Sequence, residues 1–303
     1  MRMFKLATAT FVMTAAACGS ATPVPFGGTT GDGGTTSDGG TTSDAGSGNG
    51  DASAGAPSRG GGVYLTSYDY TVQNTPIQGM SASAGFYSAY GASGGACTTS
   101  TTGACTTIQC PLASGGDAGA PKPASGGTIN ITGGSRPVQV IASGADYVPV
   151  SAQQKLWLGG EMIEAKSVGG DVPAFDLKAA APNYVTVTSP LFPAAGGKLT
   201  LSRTQPLAIA WTGGGAGQVT ATISGVTATT STSIACIFPA SAGSGSVPAS
   251  VMGGLPSQST SASIAITASN AAEAVVSGWA VRLNLLTLSK TATGTASAAA
   301  TLQ

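Results

Sequence analysis

Short segments of alternating apolar and polar residues, each stopped by glycine, proline or serine, recur about every ten residues over most of this chain. Alternation with period two places apolar side chains on one face of an extended strand. Segments this short leave no room for long amphipathic helices. Residues 63–72 are one such run; 127–132 and 138–141 flank Gly133-Gly134, and 156–158 and 162–165 flank Gly159-Gly160. Glycine pairs of this kind suit tight hairpin turns. Further strands are predicted at 184–188, 199–201, 206–212, 218–224, 233–238, 261–268 and 281–288, with short helical turns only at 248–255 and 270–276. The pattern predicts an all-β fold: one or two β-sandwich domains.

Residues 182–190 hold two prolines and suggest a boundary, giving an N-terminal β-sandwich at 61–183 and a second at 184–303. In the second part, Leu207-Ala-Ile-Ala-Trp211 is followed by Val219-Thr-Ala-Thr-Ile223. This arrangement resembles bacterial or fungal cell-surface immunoglobulin-like domains, in which a central strand carries a buried Trp. No Cys lies on the strand before Trp211, so an inter-sheet disulfide of the antibody kind is not expected.

The N-terminus is of a different character. Arg2 and Lys5 precede an uncharged run at 6–17 that ends Ala15-Ala16-Ala17-Cys18. A basic start, a short apolar stretch and small residues at the cut make a secretory leader, residues 1–17. It is too short for a membrane-spanning helix, which needs roughly 20 apolar residues. With Cys18 at the first mature position, it resembles a bacterial lipoprotein signal, whose Cys is acylated; Ala15 stands where that motif usually has Leu. The resemblance implies a membrane partner through an N-terminal lipid anchor at Cys18. Residues 18–60 are then predicted to be a disordered tether. Residues 27–32, 33–38 and 39–44 read GGTTGD, GGTTSD and GGTTSD, with no apolar side chain to offset chain entropy by burial. The Gly/Ser-rich coil between Phe26 and Arg59, about 34 residues, has an r.m.s. span of roughly 30 Å.

The chain has five cysteines. If Cys18 carries lipid, Cys97, Cys105, Cys110 and Cys236 remain, enough for two disulfides in an oxidising compartment. Three pairings are open. The short loop between Cys97 and Cys105 favours joining those two, which leaves Cys110 to tie the halves through Cys236. The spacing lacks the paired C-x2-C form of a zinc site, and the chain has no histidine.

The absence of histidine also removes Ser-His-Asp and Cys-His nucleophile systems. Arg2 and Lys5 account for two of twelve cations, and Asp32, Asp38, Asp44 and Asp51 for four of twelve carboxylates. The body is therefore near +2, too weak for a nucleic-acid footprint. Its carboxylates offer no obvious catalytic pair. Glu161 and Glu164 are three apart in a predicted strand, which would point them to opposite faces, and Asp171 and Asp176 flank a loop. No cofactor or metal is implied. Binding has a better signal: Tyr64, Tyr68 and Tyr70 share parity on the first strand, and Phe86, Tyr87 and Tyr90 follow. Two readings are open. The tyrosines are either the core of a domain poor in aromatics or an exposed platform for stacking on sugars. Trp157, Trp211 and Trp279 sit in apolar surroundings and are expected in the core.

The full length also resembles secreted lipoproteins of myxobacteria and their relatives. The likeness lies in Cys18 with its Asp/Gly/Thr tether, the Cys97-x7-Cys105-x4-Cys110 cluster, Val172-Pro-Ala-Phe175 and Cys236-x-Phe-Pro-Ala240. It implies an outer-membrane or cell-surface location and this architecture, with no activity attached. The expectation is a lipid-anchored, non-catalytic envelope protein with a structural or adhesive role. The alternative is a carbohydrate-binding module using Tyr64, Tyr68, Tyr70, Tyr87 and Tyr90, with a cell-surface glycan or protein as partner. A third reading is a minimal hydrolase built on Asp69 or Asp176.

Overall fold

The computed structural model describes residues 59–89, 97–112, 122–194 and 196–303. Cys18, Tyr90, the predicted leader and the predicted tether up to residue 58 lie outside the described residues. Arg59 and Gly60, grouped with the tether by composition, are the first residues of a strand.

That strand, β1 (Arg59–Val72), forms a hairpin with β2 (Thr75–Ala89), turning at Gln73 and Asn74, both at positive φ as a type I′ turn requires. β3 (Thr98–Thr102) and β4 (Cys105–Pro111) form a second hairpin. Eight shorter strands follow: β5 (Lys122–Ala124), β6 (Ile129–Thr132), β7 (Val138–Val140), β8 (Ala142–Ser143), β9 (Asp146–Tyr147), β10 (Val150–Ala152), β11 (Met162–Ser167) and β12 (Phe175–Ala180). Next come β13 (Thr186–Ser189), β14 (Lys198–Leu201), β15 (Leu207–Thr212), β16 (Gln218–Val226), β17 (Thr230–Pro239) and β18 (Ser244–Val247). A single turn of helix, α1 (Ala249–Met252), leads to β19 (Ser261–Val276) and β20 (Trp279–Leu288). β21 (Lys290–Thr291), β22 (Gly294–Thr295) and β23 (Ser297–Leu302) complete the described chain.

One large sheet runs β10-β2-β1-β20-β19-β16-β17-β4-β3. Two smaller sheets, β12-β11-β6-β7 and β18-β15-β13-β21-β22, pack on one and the same face of it. The parity of the buried residues establishes this. Val63 pairs with Leu283, Leu283 pairs with Ala272, and Ala272 shares parity along β19 with the buried Ile264 and Ile266. The all-β sandwich architecture read from the alternation is what the chain forms.

Two cores result. The first packs Val63, Leu65 and Phe86 against Ile129, Ile163 and Phe175; the second packs Val219, Ile223 and Ile234 against Ile209, Trp211 and Val247. Segments 61–183 and 184–303 each supply most of one core, but they exchange elements. Val281, Leu283 and Leu285 of β20 belong to the first core, and Cys105 of β4 belongs to the second. The exchange follows from β20 pairing in parallel with β1 and β4 pairing with β17.

Three local expectations are corrected. Residues 270–276 are not a helical turn but the second half of β19, because Ala271 to Val276 pair with β20. Their run of alanines favours helix only while no partner strand is present. Residues 156–158 are not a strand; Leu156 and Trp157 are plugged, fully buried, into the first core from a bent segment. The disulfides join Cys97 to Cys110 and Cys105 to Cys236, not Cys97 to Cys105. Strand register decides this. Thr98 faces Gln109 across the β3–β4 hairpin, which sets Cys97 beside Cys110, while Cys105 faces Cys236 across β4–β17. Both bridges tie neighbouring strands of one sheet.

Candidate ligand-binding face

Along β1 the odd positions Val63, Leu65 and Ser67 are buried, so the even positions look the other way. Tyr64, Tyr68 and Tyr70 are therefore not core. They stand on the face of the large sheet against which no second sheet of the described residues packs. Tyr64 is 45% exposed, and Tyr68, Tyr70 and Tyr87 are half-buried. Tyr87 joins them because β2 presents its odd positions on this side, as Ser83 opposite Tyr64 and Gly79 opposite Tyr68 show.

These rings lie low on the sheet. A Cβ at Gly79 would fall 2.3 Å from the Tyr68 hydroxyl and 2.5 Å from its ring, so Tyr68 lies across the place where any other residue would put a side chain. Such covering of a cross-strand glycine by an aromatic ring protects the exposed backbone. Tyr68 also meets Tyr70, with ring centroids 6.0 Å apart and planes tilted by 41°. The Tyr64 phenol is pushed above its ordinary pKa, chiefly by burial, against an opposing pull from the Arg282 guanidinium. Burial likewise raises Tyr70, helped by the neighbouring Tyr68. The Tyr64 and Tyr70 phenols are thus neutral hydroxyl donors at physiological pH.

The C-terminal half completes the patch. Parallel pairing sets Asn284 beside Tyr64 and Arg282 beside Gly62. Arg282 Nε lies 3.0 Å from Glu273 Oε1 on β19, an ion pair without hydrogen-bond geometry. Sequence reasoning missed Arg282, Asn284 and Glu273. The signal was present in the polar even positions of an otherwise apolar strand, Val281-Arg-Leu-Asn-Leu285, but not which strand would lie next to it. Farther along, the same face becomes a field of hydroxyls: Thr220, Thr222 and Ser224 on β16, Ser263 and Thr267 on β19, Ser231 and Ser233 on β17. Ser224 and Ser263 are hydrogen-bonded at 2.8 Å. Apart from the Arg282–Glu273 pair, these rows carry no charge.

The carboxylates weighed for chemistry are engaged elsewhere. Asp69 pairs with Lys155 at 2.9 Å. Glu161 lies before β11 and accepts the N–H groups of Leu158 and Gly159 at 2.7 and 2.6 Å. Those backbone bonds hold its carboxyl below the usual range in spite of a larger opposing contribution from desolvation. Glu164 pairs with Lys178 at 3.3 Å, and Asp171 accepts the Ser125 N–H at 3.1 Å. Asp176 stands opposite Lys166 in the β11–β12 ladder. Among the described residues no cluster of three or more metal-ligating side chains occurs.

No protein-family model and no curated protein matches the chain. Two solved structures are weakly similar. One concerns host cell surface retention of a 1.5-MDa bacterial ice-binding adhesin; it is 12% identical, covers 80% of this chain and 88% of that one, and has a TM-score of 0.14. The other is a Ca2+-stabilized adhesin that helps an Antarctic bacterium reach out and bind ice, 13% identical over 79% of this chain and 67% of that one, with a TM-score of 0.15. At such scores the likeness extends to neither function nor topology.

Proposed function

We propose that this chain is a lipid-anchored, non-catalytic protein of the outer membrane or cell surface with an adhesive or structural role, and that it meets its partner with the open face of the large sheet. The observation that carries this reading is the outward placement of Tyr64, Tyr68, Tyr70 and Tyr87. Aromatic side chains are enriched in protein contact surfaces, and a folded domain gains little by leaving several of them in water. An acylated Cys18 followed by a Gly/Thr/Ser-rich tether would hold this face clear of the lipid headgroups.

Carbohydrate recognition is a second reading of the same face. Tyr64 offers an exposed ring, and Asn284, Ser83 and Arg282 offer hydrogen-bonding groups beside it. Neutral sugars have the matching combination of apolar C–H faces and equatorial hydroxyls.

Two measurements test these readings. Metabolic labelling with a radiolabelled fatty acid should mark the wild-type chain and leave Cys18→Ser unlabelled; a labelled Cys18→Ser variant removes the anchor assignment. Cells displaying Tyr64→Ala/Tyr87→Ala should lose adhesion to their surface or partner with both disulfides intact, and undiminished adhesion sinks the open-face reading. A glycan array separates sugar from protein partners.

A further inference from the structure

Sheet edges with free N–H and C=O groups pair with other strands, and folded proteins guard them with charge, proline, bulges or brevity. Among the described residues nearly every edge follows that rule. β10 and β7 have three residues each, and Pro137 precedes β7. β5 carries Lys122 and Pro123, β14 begins at Lys198, and β12 alternates Asp176 and Lys178. β18 has four residues and runs into Pro248, and β22 has two.

β3 is the exception. Its sequence is Thr98-Thr-Ser-Thr-Thr102, every residue is exposed, and its register with β4 has no bulge. Neither a charged residue nor a proline occurs from Cys97 to Cys110. The Cys97–Cys110 disulfide at its base holds it in extended form, so little ordering entropy is left to lose on pairing.

Its geometry also says which groups are free. The hairpin turns through Gly103, at φ 59, and Ala104, so Thr102 and Cys105 flank a two-residue turn and exchange both ladder bonds. Bonded pairs then alternate, at Ser100 with Thr107 and Thr98 with Gln109. The N–H and C=O of Thr99 and Thr101 point away from the sheet. The strand reads the same in both directions about Ser100. A two-fold axis through Ser100 sets Thr99 opposite Thr101 of a second copy, and Thr98 opposite Thr102, with every outward backbone group paired.

We propose that β3 is a dimerisation edge at which two copies of this chain join antiparallel about Ser100, making the two large sheets continuous across an isologous contact. The occupant is a second copy because the strand is uncharged and self-complementary over its whole length.

Sedimentation equilibrium of the full chain tests this. The wild type should show a concentration-dependent mass approaching the dimer. Ser100→Lys and Ser100→Glu each place like charges directly across the axis and should sediment as monomers. Mixing the two should restore a dimer containing one copy of each. Thr99→Pro removes an outward N–H without touching a hairpin bond, so it should abolish the dimer with the Cys97–Cys110 bond intact by non-reducing mass spectrometry. A wild type monomeric at every concentration overturns the proposal. So does a dimer that survives Thr99→Pro, or a Lys/Glu mixture that stays monomeric.

Discussion

The two cores of this molecule are closed by different means. The second joins its strands to the helical turn α1 and the residues after it, which bury Val251, Met252 and Leu255, with Trp211 donating its indole N–H to Ala240 O at 2.8 Å and the Cys105–Cys236 bridge across adjacent strands. The first is plugged by a bent segment, and its two deepest side chains there, Leu156 and Trp157, come from no strand at all. A buried bend brings backbone donors and acceptors that no ladder can satisfy. The first core therefore holds a polar knot. Ser67 Oγ accepts the Leu156 N–H at 3.0 Å and meets the Tyr184 hydroxyl at 2.6 Å. Tyr184 in turn donates to Trp157 O at 3.1 Å, and the Trp157 indole N–H reaches Thr287 Oγ1 at 3.3 Å. The turn that closes the second core satisfies its own backbone, Met252 N–H bonding to Pro248 O at 3.0 Å and Leu255 N–H to Met252 O at 3.1 Å, whereas the bend that plugs the first depends on a few specific side-chain hydrogen bonds.

The largest test of that contrast is covalent. The Cys105–Cys236 bridge closes a sequence separation of 131 residues and Cys97–Cys110 one of 13. Loop-closure entropy then gives about 5 kcal/mol for the first and about 3 kcal/mol for the second. Urea unfolding of Cys105→Ala/Cys236→Ala and of Cys97→Ala/Cys110→Ala should rank them in that order, and an inverted order breaks the comparison. Trp157→Ala should cost about 3–5 kcal/mol. Its distinguishing sign is local: amide exchange should accelerate at Leu156 and Gly159, whose donors lose their setting, while Ile223 and Ile234 in the second core stay protected. Trp211→Ala should show the reverse.

Tyr184→Phe sharpens the contrast at smaller scale, with an expected loss of about 1 kcal/mol. Burial pushes the Tyr184 phenol up to about 12, against a favourable hydrogen bond with Ser67. The folded state thus keeps its proton after the unfolded chain, at an ordinary value near 10, has begun to release it. Tyr184's contribution is complete below about pH 10 and is lost as pH rises toward about 12. Denaturant titrations across that window should show the decline in the wild type and a shallower one in Tyr184→Phe. The smallest effect belongs to the open face. Tyr64→Ala touches neither core, so its stability should stay within about 0.5 kcal/mol of wild type while adhesion falls.

Legibility in the sequence follows the same division. Strands β15, β16, β17 and β20 alternate cleanly and are found near their predicted places, because each buries one face and exposes the other. The segment 156–158 misleads because three bulky apolar residues beside a glycine pair look like half a hairpin, whatever fills them in. At 270–276 small residues carry little pattern of their own, and the partner strand β20 supplies the extended form. The tyrosines were half legible. Their shared parity is a property of the strand alone, yet parity cannot say which side is covered.

The chain's own sequence determined the all-β class, the shared face of Tyr64, Tyr68 and Tyr70, and a cysteine count that leaves four for bridges. These rest on local periodicity and composition, which need no knowledge of distant residues. Only the tertiary structure decided that Cys105 meets Cys236, that β20 crosses to lie beside β1 with Arg282 and Asn284, and that the tyrosines face outward. Those outcomes depend on which strands become neighbours and in what register. Register is selected by the burial of whole faces at once, not by any single segment.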